Sequence, residues 1–337
     1  MLEDYCFHDP DVLELVRKQW RASAVLRLGD EHGNVLPLLE MPSRVGRHLA
    51  GPYEAGVVMA DKLPADVRPN RFLRPLVESL LREVAKDPNV LVEIRIPWPL
   101  LEAHGHSILE PFLLARFTVN LALWERSVDL RLDAVDILHR AHDRVRRKVR
   151  RGFAEAPAIR FYHGEALPEP ILRGFFEAAV HTREASGAAL KHDYALYACD
   201  RAALIRAGKA VLGVCEHKGY RGYLLALASR TLGYYWDGCW AGEKNDFAMH
   251  FLHYRMMLFL QELGVSRYSL GYVFPDLLAA SRKASSIAFF KDGFGDDLRP
   301  VYKLILARET SRVRLARWLA QGPAGGAIRS LRRLAAR

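Results

Sequence analysis

The chain has 337 residues, half of them hydrophobic, and 49 lysines and arginines against 39 aspartates and glutamates, a formal net charge of +10. That length exceeds one ordinary hydrophobic core, so two domains are expected, and the basic balance favours an anionic partner: nucleic acid, a phosphorylated substrate or a membrane surface. Cys6, Cys199, Cys215 and Cys239 form no C-x-x-C pair, which argues against a zinc ribbon or a disulfide framework; no apolar run is long enough to span a bilayer, and the start Met1-Leu2-Glu3-Asp4 does not read as a signal peptide. A cytoplasmic protein with reduced thiols is expected, meeting a membrane only from its inner face.

Taken in order, the chain opens with a short helix near Asp11 to Arg21 and a strand-like Ala24 to Leu28, followed by a turn at Asp30 to Asn34. Gly51 to Gly56 reads as a loop. After Pro69 the apolar residues Phe72, Leu73, Leu76, Val77, Leu80, Leu81 and Val84 recur at three and four, which predicts an amphipathic helix. Val90 to Ile96 predicts a strand, the apolar run Phe112 to Leu123 a second, and a helix is expected from about Asp133. That helix turns strongly basic: Arg140, Arg144, Arg146, Arg147, Lys148, Arg150 and Arg151 stand within three turns. Several cations so close together suit phosphate contacts, with Arg146, Arg147 and Arg150 as candidate anion ligands; a solvated basic face at a helix end fits equally.

Strand-like Ile159 to Tyr162 begins the second half, and helices follow over Glu169 to Ser186 and Tyr194 to Arg206, the latter capped by Asp193. Ala210 to Glu216, Tyr223 to Ala228 and Leu232 to Trp240 predict an antiparallel meander. Phe247 to Leu263 is apolar on nearly every side and predicts a buried helix. A strand at Tyr268 to Val273, a helix from Pro275 or Asp276, a loop around Lys291 and a last strand at Val301 to Ala307 complete the order. The fold class is α/β, with helices packed on mostly antiparallel sheets. Domains are expected at 1–155 and 156–310, with a basic amphipathic tail at 311–337 suited to RNA or an anionic membrane.

The stretch Phe289-Phe290-Lys291-Asp292-Gly293-Phe294-Gly295 sets one lysine between aromatic residues and glycines. Aromatic neighbours shield an ammonium from water, and glycines permit φ > 0 or close approach of a ligand. A turn entering a strand explains the same pattern. Asp237 closes an aromatic strand just before Gly238, where sheet ends open onto ligands, and serves equally as a turn residue. His250 and Tyr254 lie four apart on the buried helix. The pairs His104/His106, His139/His142 and His250/His253 bring no third ligand nearby, and no Walker, Rossmann or G-x-S-x-G motif occurs.

Phe290-Lys291-Asp292-Gly293-Phe294-Gly295 resembles the F-K-x-G-F-G-G motif near the end of the FemABX peptidyltransferases, which carry two acyltransferase domains of the GNAT kind in tandem. Thr182-Arg183 before Gly187, Tyr234 to Gly238, Gly264 with Tyr268 to Gly271, and the basic Val145 to Arg151 are similar to further family segments, so the resemblance covers roughly residues 50 to 307. Asp296 replaces the second glycine of the final motif and Ser269 the usual aspartate of the strand near its end, and the coiled-coil insertion of some members is absent. The R/Q-x-x-G-x-G/A loop that holds coenzyme A in ordinary GNAT enzymes is absent too.

The resemblance implies transfer of an acyl or aminoacyl group to an amine. Lys291 is then expected at the transfer centre with Phe290, Gly293 and Gly295, while Arg183, Tyr235 and His250 contact substrate. Asp237 is the candidate for taking the amine proton, and Tyr254 for reprotonating the leaving group. The donor is a co-substrate rather than a resident cofactor: acyl-CoA, acyl carrier protein or aminoacyl-tRNA. The acceptor is an amino sugar, a peptide precursor or a lipid amine. A non-catalytic basic module for RNA or anionic membrane is the other class of function that the charge pattern supports.

Overall fold

The computed structural model describes residues 6–43, 46–52, 69–96, 100–102, 105–187, 189–190, 192–243, 245–273, 282–295 and 297–308, with the side chains at 69–70, 122 and 282–286 outside that description. By its contacts the chain divides into two units, Met1–Gln19 with Leu121–Val301, and Trp20–Asn120 with Tyr302–Arg337. These are discontinuous, whereas the sequence suggests contiguous domains that meet at 155, with a separate tail after 310. The difference arises because residues 121 to 155 pack with the second half: Val128, Ile137, Val145 and Val149 share one core cluster with Leu224, Phe251, Met256 and Leu270. The expected tail at 311–337 lies outside the described residues, as does Asp296.

In the unit that contains residues 20–120, strands β1 (Ala24–Gly29), β2 (Val35–Met41), β3 (Arg47–Ala50), β4 (Val90–Ile96) and the later β11 (Asp297–Arg308) lie in that order. Only the β3–β4 pair is parallel. Alternation sorts β4: Val90, Val92, Ile94 and Ile96 enter a core with Leu73, Leu76, Val77 and Leu80 of α2 (Pro69–Val84), the stripe that the three-four spacing predicted. Glu93 therefore points to the opposite face.

The expected strand over Phe112 to Leu123 is two elements. Glu110–Leu114 forms the short helix α3, whose second residue, Pro111, suits a first helical turn, and the chain turns at Arg116, φ +65°, into β5 (Thr118–Asp129). An apolar run of that length does not distinguish helix from strand by itself.

The other unit carries a sheet in the order β5-β10-β9-β8-β7-β6. Its strands are β6 (Ala158–Tyr162), β7 (Ala210–His217), β8 (Tyr220–Ala228), β9 (Leu232–Gly242) and β10 (Arg267–Val273), antiparallel except for β9 beside β10. Its helices begin with α1 (Pro10–Trp20), which lies almost wholly in this unit; the helix expected from Asp133 is a pair, α4 (Ala134–Arg140) and α5 (Asp143–Glu155). Asp133 caps α4 through its carboxylate, and Ala141 and His142, both extended, break the run. Further on stand α6 (Glu169–Ala185), a π-helical turn at Ala195–Cys199, and α7 (Asp200–Arg206). The helix α8 (Ala248–Glu262) is the crossover between the parallel strands β9 and β10, and it buries Phe251, Leu252, His253, Tyr254, Met256, Met257 and Leu260, which is why its sequence is apolar all round. The last helix among the described residues, α9 (Arg282–Asp292), contains Lys291 in its final turn, so the lysine expected on a loop belongs to a helix.

Candidate active site

Strands β9 and β10 pair at only three positions, Leu232 with Arg267, Gly233 with Tyr268 and Tyr234 with Ser269. Beyond these no ladder joins them, although β9 continues to Gly242 and β10 to Val273. Each strand is irregular at that point. In β9 the register to β8 shifts between Tyr235 and Asp237, leaving Trp236 as the extra residue; in β10 the register to β5 shifts between Ser269 and Tyr272. Bulges add twist and re-aim side chains, and here they spread the parallel strands into a wedge.

Lys291 lies at this wedge. Its side chain is buried, 8% exposed, and Nζ donates to the carbonyl of Tyr272 at 2.9 Å. The ammonium also stands 5.9 Å from the centre of the Tyr235 ring. Gly271, at φ +75°, makes room: a Cβ there would come within 3.2 Å of the Tyr234 hydroxyl and 3.4 Å of Lys291 Nζ. Among the described residues no carboxylate forms an ion pair with Lys291; Glu125, the acid that draws its pKa upward, is itself paired with Arg267 at 3.2 Å. Burial outweighs that attraction and pulls the lysine down to about 8. The result is an ammonium with one proton on a carbonyl and two more to offer.

The rest of the motif is a mount. Gly293 and Gly295 are buried and neither has a positive φ; a Cβ on Gly293 would meet Val145 of α5 at 2.5 Å, and one on Gly295 the Ser127 carbonyl of β5 at 2.5 Å. At both positions the missing side chain allows close packing against protein. Arg126 of β5 binds the carbonyl of Gly295 and the carboxylate of Asp292, and His142 N–H donates to the Gly293 carbonyl at 2.9 Å. Arg126 drew no notice in the sequence because its partners lie more than 160 residues away.

Phe290 and Phe294 pack against two imidazoles of α8. Phe290 is 4.8 Å from His250 and 5.1 Å from His253, and Phe294 is 5.6 Å and 5.3 Å from the same rings. Burial, with Lys148 and Arg144 nearby, lowers His250 to about 4, and burial pulls His253 well below its ordinary value, so both are neutral at pH 7. His253 also meets Tyr235 at 4.8 Å. Thus Lys291, Phe290, Tyr235 and His250 are brought into one neighbourhood, joined by Gly271, Tyr272, His253 and Glu125.

The other candidates form separate groups. Asp237 accepts from the Tyr197 hydroxyl at 2.7 Å and from its neighbour Gly238 N–H, and Arg183 approaches it at 3.5 Å. Two expected site residues therefore meet each other, but with its oxygens so engaged Asp237 is placed to hold Arg183 and Tyr197. The Tyr254 hydroxyl donates to the Ala134 carbonyl at 3.0 Å, and its ring packs on Phe153, so this tyrosine ties α8 to α4. Arg146 bonds the carbonyls of His139 and Ala141 at the end of α4, while Arg147 and Arg150 are exposed. Among the described residues no three His, Cys, Asp or Glu side chains gather as a metal site, and no helix is long and apolar enough to cross a membrane.

No protein-family model matches this sequence, and no curated protein matches it. Solved structures do. FemX is 15% identical with a TM-score of 0.69, over 93% of this chain and 94% of that one. The C-terminal domain of a putative lysylphosphatidylglycerol synthetase from Agrobacterium fabrum is 14% identical with a TM-score of 0.58, over 94% and 92%. L-PGS from Bacillus licheniformis is 11% identical with a TM-score of 0.57, over 91% and 95%. At such identities the likeness is one of backbone architecture, and it extends over nearly the whole chain: this protein has a FemABX-like fold.

Proposed function

We propose that the protein is an N-acyltransferase that moves an acyl or aminoacyl group to the amine of an envelope precursor, an amino sugar, a peptide or a lipid amine. The observation that carries this reading is the wedge between β9 and β10 with the buried Lys291 ammonium bonded to the Tyr272 carbonyl inside it. A FemABX-like backbone and the family's lysine motif at that lysine support it. The donor is a co-substrate: acyl-CoA, acyl carrier protein or aminoacyl-tRNA.

In this reading the acceptor amine, as the free base, attacks the donor carbonyl. The C–N bond forms, the C–O or C–S bond to the carrier breaks, and the proton lost by nitrogen ends on the departing oxygen or sulfur. Lys291 stabilises the oxyanion of the tetrahedral intermediate with the protons not used on Tyr272, in surroundings that exclude water and so strengthen the interaction. Phe290, Tyr235 and the neutral His250 and His253 supply the apolar wall that keeps the ammonium poised. Asp237 positions Arg183, whose guanidinium is placed to meet an anionic group of a substrate.

The test is donor-dependent turnover with labelled acyl-CoA, acylated carrier protein and charged tRNA, each offered with amine acceptors. Lys291→Met is expected to remove turnover while circular dichroism reports an intact fold. An active, folded variant overturns the assignment. Salt-sensitive binding of RNA or anionic lipid with no turnover from any donor favours the non-catalytic basic module instead.

A further inference from the structure

Helix α5 contains six cations, and the structure divides them into two sets. Arg144 donates to the Phe289 carbonyl and lies 3.7 Å over its ring; Arg146 bonds the carbonyls of His139 and Ala141; Arg151 pairs with Asp246 at 3.2 Å. Arg147, Lys148 and Arg150 make no ion pair, hydrogen bond or ring contact among the described residues. Arg147 and Arg150 point away from the core, because Val145, Val149 and Gly152 on the other side of the helix are buried. An unpartnered outward cation pair by itself is an ordinary solvated face.

Its flanks are not ordinary. On one side stands Phe153, 52% exposed, its ring set edge-on against Phe251 at 5.0 Å and Tyr254 at 6.0 Å. On the other, beyond Arg144, the helix α9 presents Phe289 and Ile287, 61% and 44% exposed. A basic helical stripe bordered on both sides by large apolar groups matches a bilayer interface, where cations meet anionic headgroups and the apolar residues enter the acyl boundary. Ile287 favours lipid over nucleic acid, since an aliphatic side chain offers no stacking surface to a base.

We propose that α5 and the end of α9 form a face that docks on an anionic lipid bilayer, with Arg147 and Arg150 at the headgroups and Phe153, Ile287 and Phe289 in the interface. This does not depend on the transfer reading. The experiment is co-sedimentation of the full chain with vesicles of phosphatidylcholine alone and of equimolar phosphatidylcholine and phosphatidylglycerol, beside binding of a generic RNA hairpin. Wild-type protein is expected to pellet with the anionic vesicles and to release as salt rises. Arg147→Glu with Arg150→Glu should weaken that partition at least about tenfold, at roughly 1 kcal/mol per basic residue. Phe289→Ser should weaken it about fivefold. Charge reversal in the tail, Arg332→Glu with Arg333→Glu, should have a smaller effect than either. Circular dichroism checks each fold, and Arg147→Gln with Arg150→Gln replaces the reversal if it misfolds. Unchanged partition in the folded α5 variants, loss confined to the tail variant, or RNA binding without vesicle binding overturns the proposal.

Discussion

Each unit sets one lysine against its sheet, and the two are treated in opposite ways. Lys303 of β11 gives its charge to Glu93 of β4 at 2.6 Å, and His48 of β3 approaches the same carboxylate at 3.4 Å. Lys291, more deeply buried, donates to the neutral carbonyl of Tyr272 and forms no ion pair with a carboxylate among the described residues. The contrast shows in the titrations. His48 and Lys303 hold Glu93 down to about 2, against the opposing effect of burial, whereas burial draws Lys291 down to about 8. Removing one partner of the first set leaves a lone charge, whereas Lys291 already lacks an ion-pair partner among the described residues. A buried cation without an ion-pair partner costs a fold stability, and a perturbed buried charge of this kind is a candidate for a functional role.

The sharpest way to break this comparison is to remove each lysine in turn. Lys291→Met should lower single-turnover transfer by about a thousandfold, within the range for losing an oxyanion donor, whereas Lys303→Met should change it less than about threefold. Equal losses would show that the distinction between the lysines has no catalytic meaning. Gly271→Ala tests the space that admits the ammonium: the φ of +75° and the contacts at 3.2 and 3.4 Å should cost about 2 kcal/mol in chemical denaturation and lower turnover by about tenfold.

On the paired side, Glu93→Gln should cost about 1 kcal/mol at pH 7, since the group is partly solvated and its pair is screened accordingly. The sign follows from the depressed carboxyl. Its stabilisation is present above the unfolded value of 4.5 and is lost as pH falls from there toward 2, so the variant should show a shallower decline in that window. Lys291 behaves in the opposite sense. Its folded value of about 8 lies below 10.5, so the unfolded chain binds more protons between the two, and wild-type stability should rise by up to about 3 kcal/mol from pH 8 to 10.5. Lys291→Met should lose that rise, which denaturant titrations at pH 7, 9 and 10 would detect.

Much of the architecture was legible because it is local. The three-four spacing of α2, the continuous apolarity of α8 and the punctuated meander of β7 to β9 are each set by neighbours in the chain, and each appears where it was expected. Short or ambiguous pieces were not legible: β2 contains Pro37, β3 has four residues, and the run after Pro111 begins as a helix. The site was half visible. The motif around Lys291 drew attention to the lysine and Phe290, which the fold sets beside Tyr235 and His250, while the packing of its glycines on Val145 and Ser127 could not be read from the sequence.

The sequence by itself determined the type of the long periodic elements, the α/β class and the one lysine worth testing, since periodicity and a contiguous motif need no partner. Only the tertiary structure decided that residues 121 to 155 join the second half, that the pairing of β9 with β10 ends after three positions, and that Lys291 meets Tyr272 with no acid in ion-pairing reach among the described residues. Those facts depend on strand pairing and burial between distant segments. Composition leaves such pairings open, and the folded arrangement fixes the environment of Lys291.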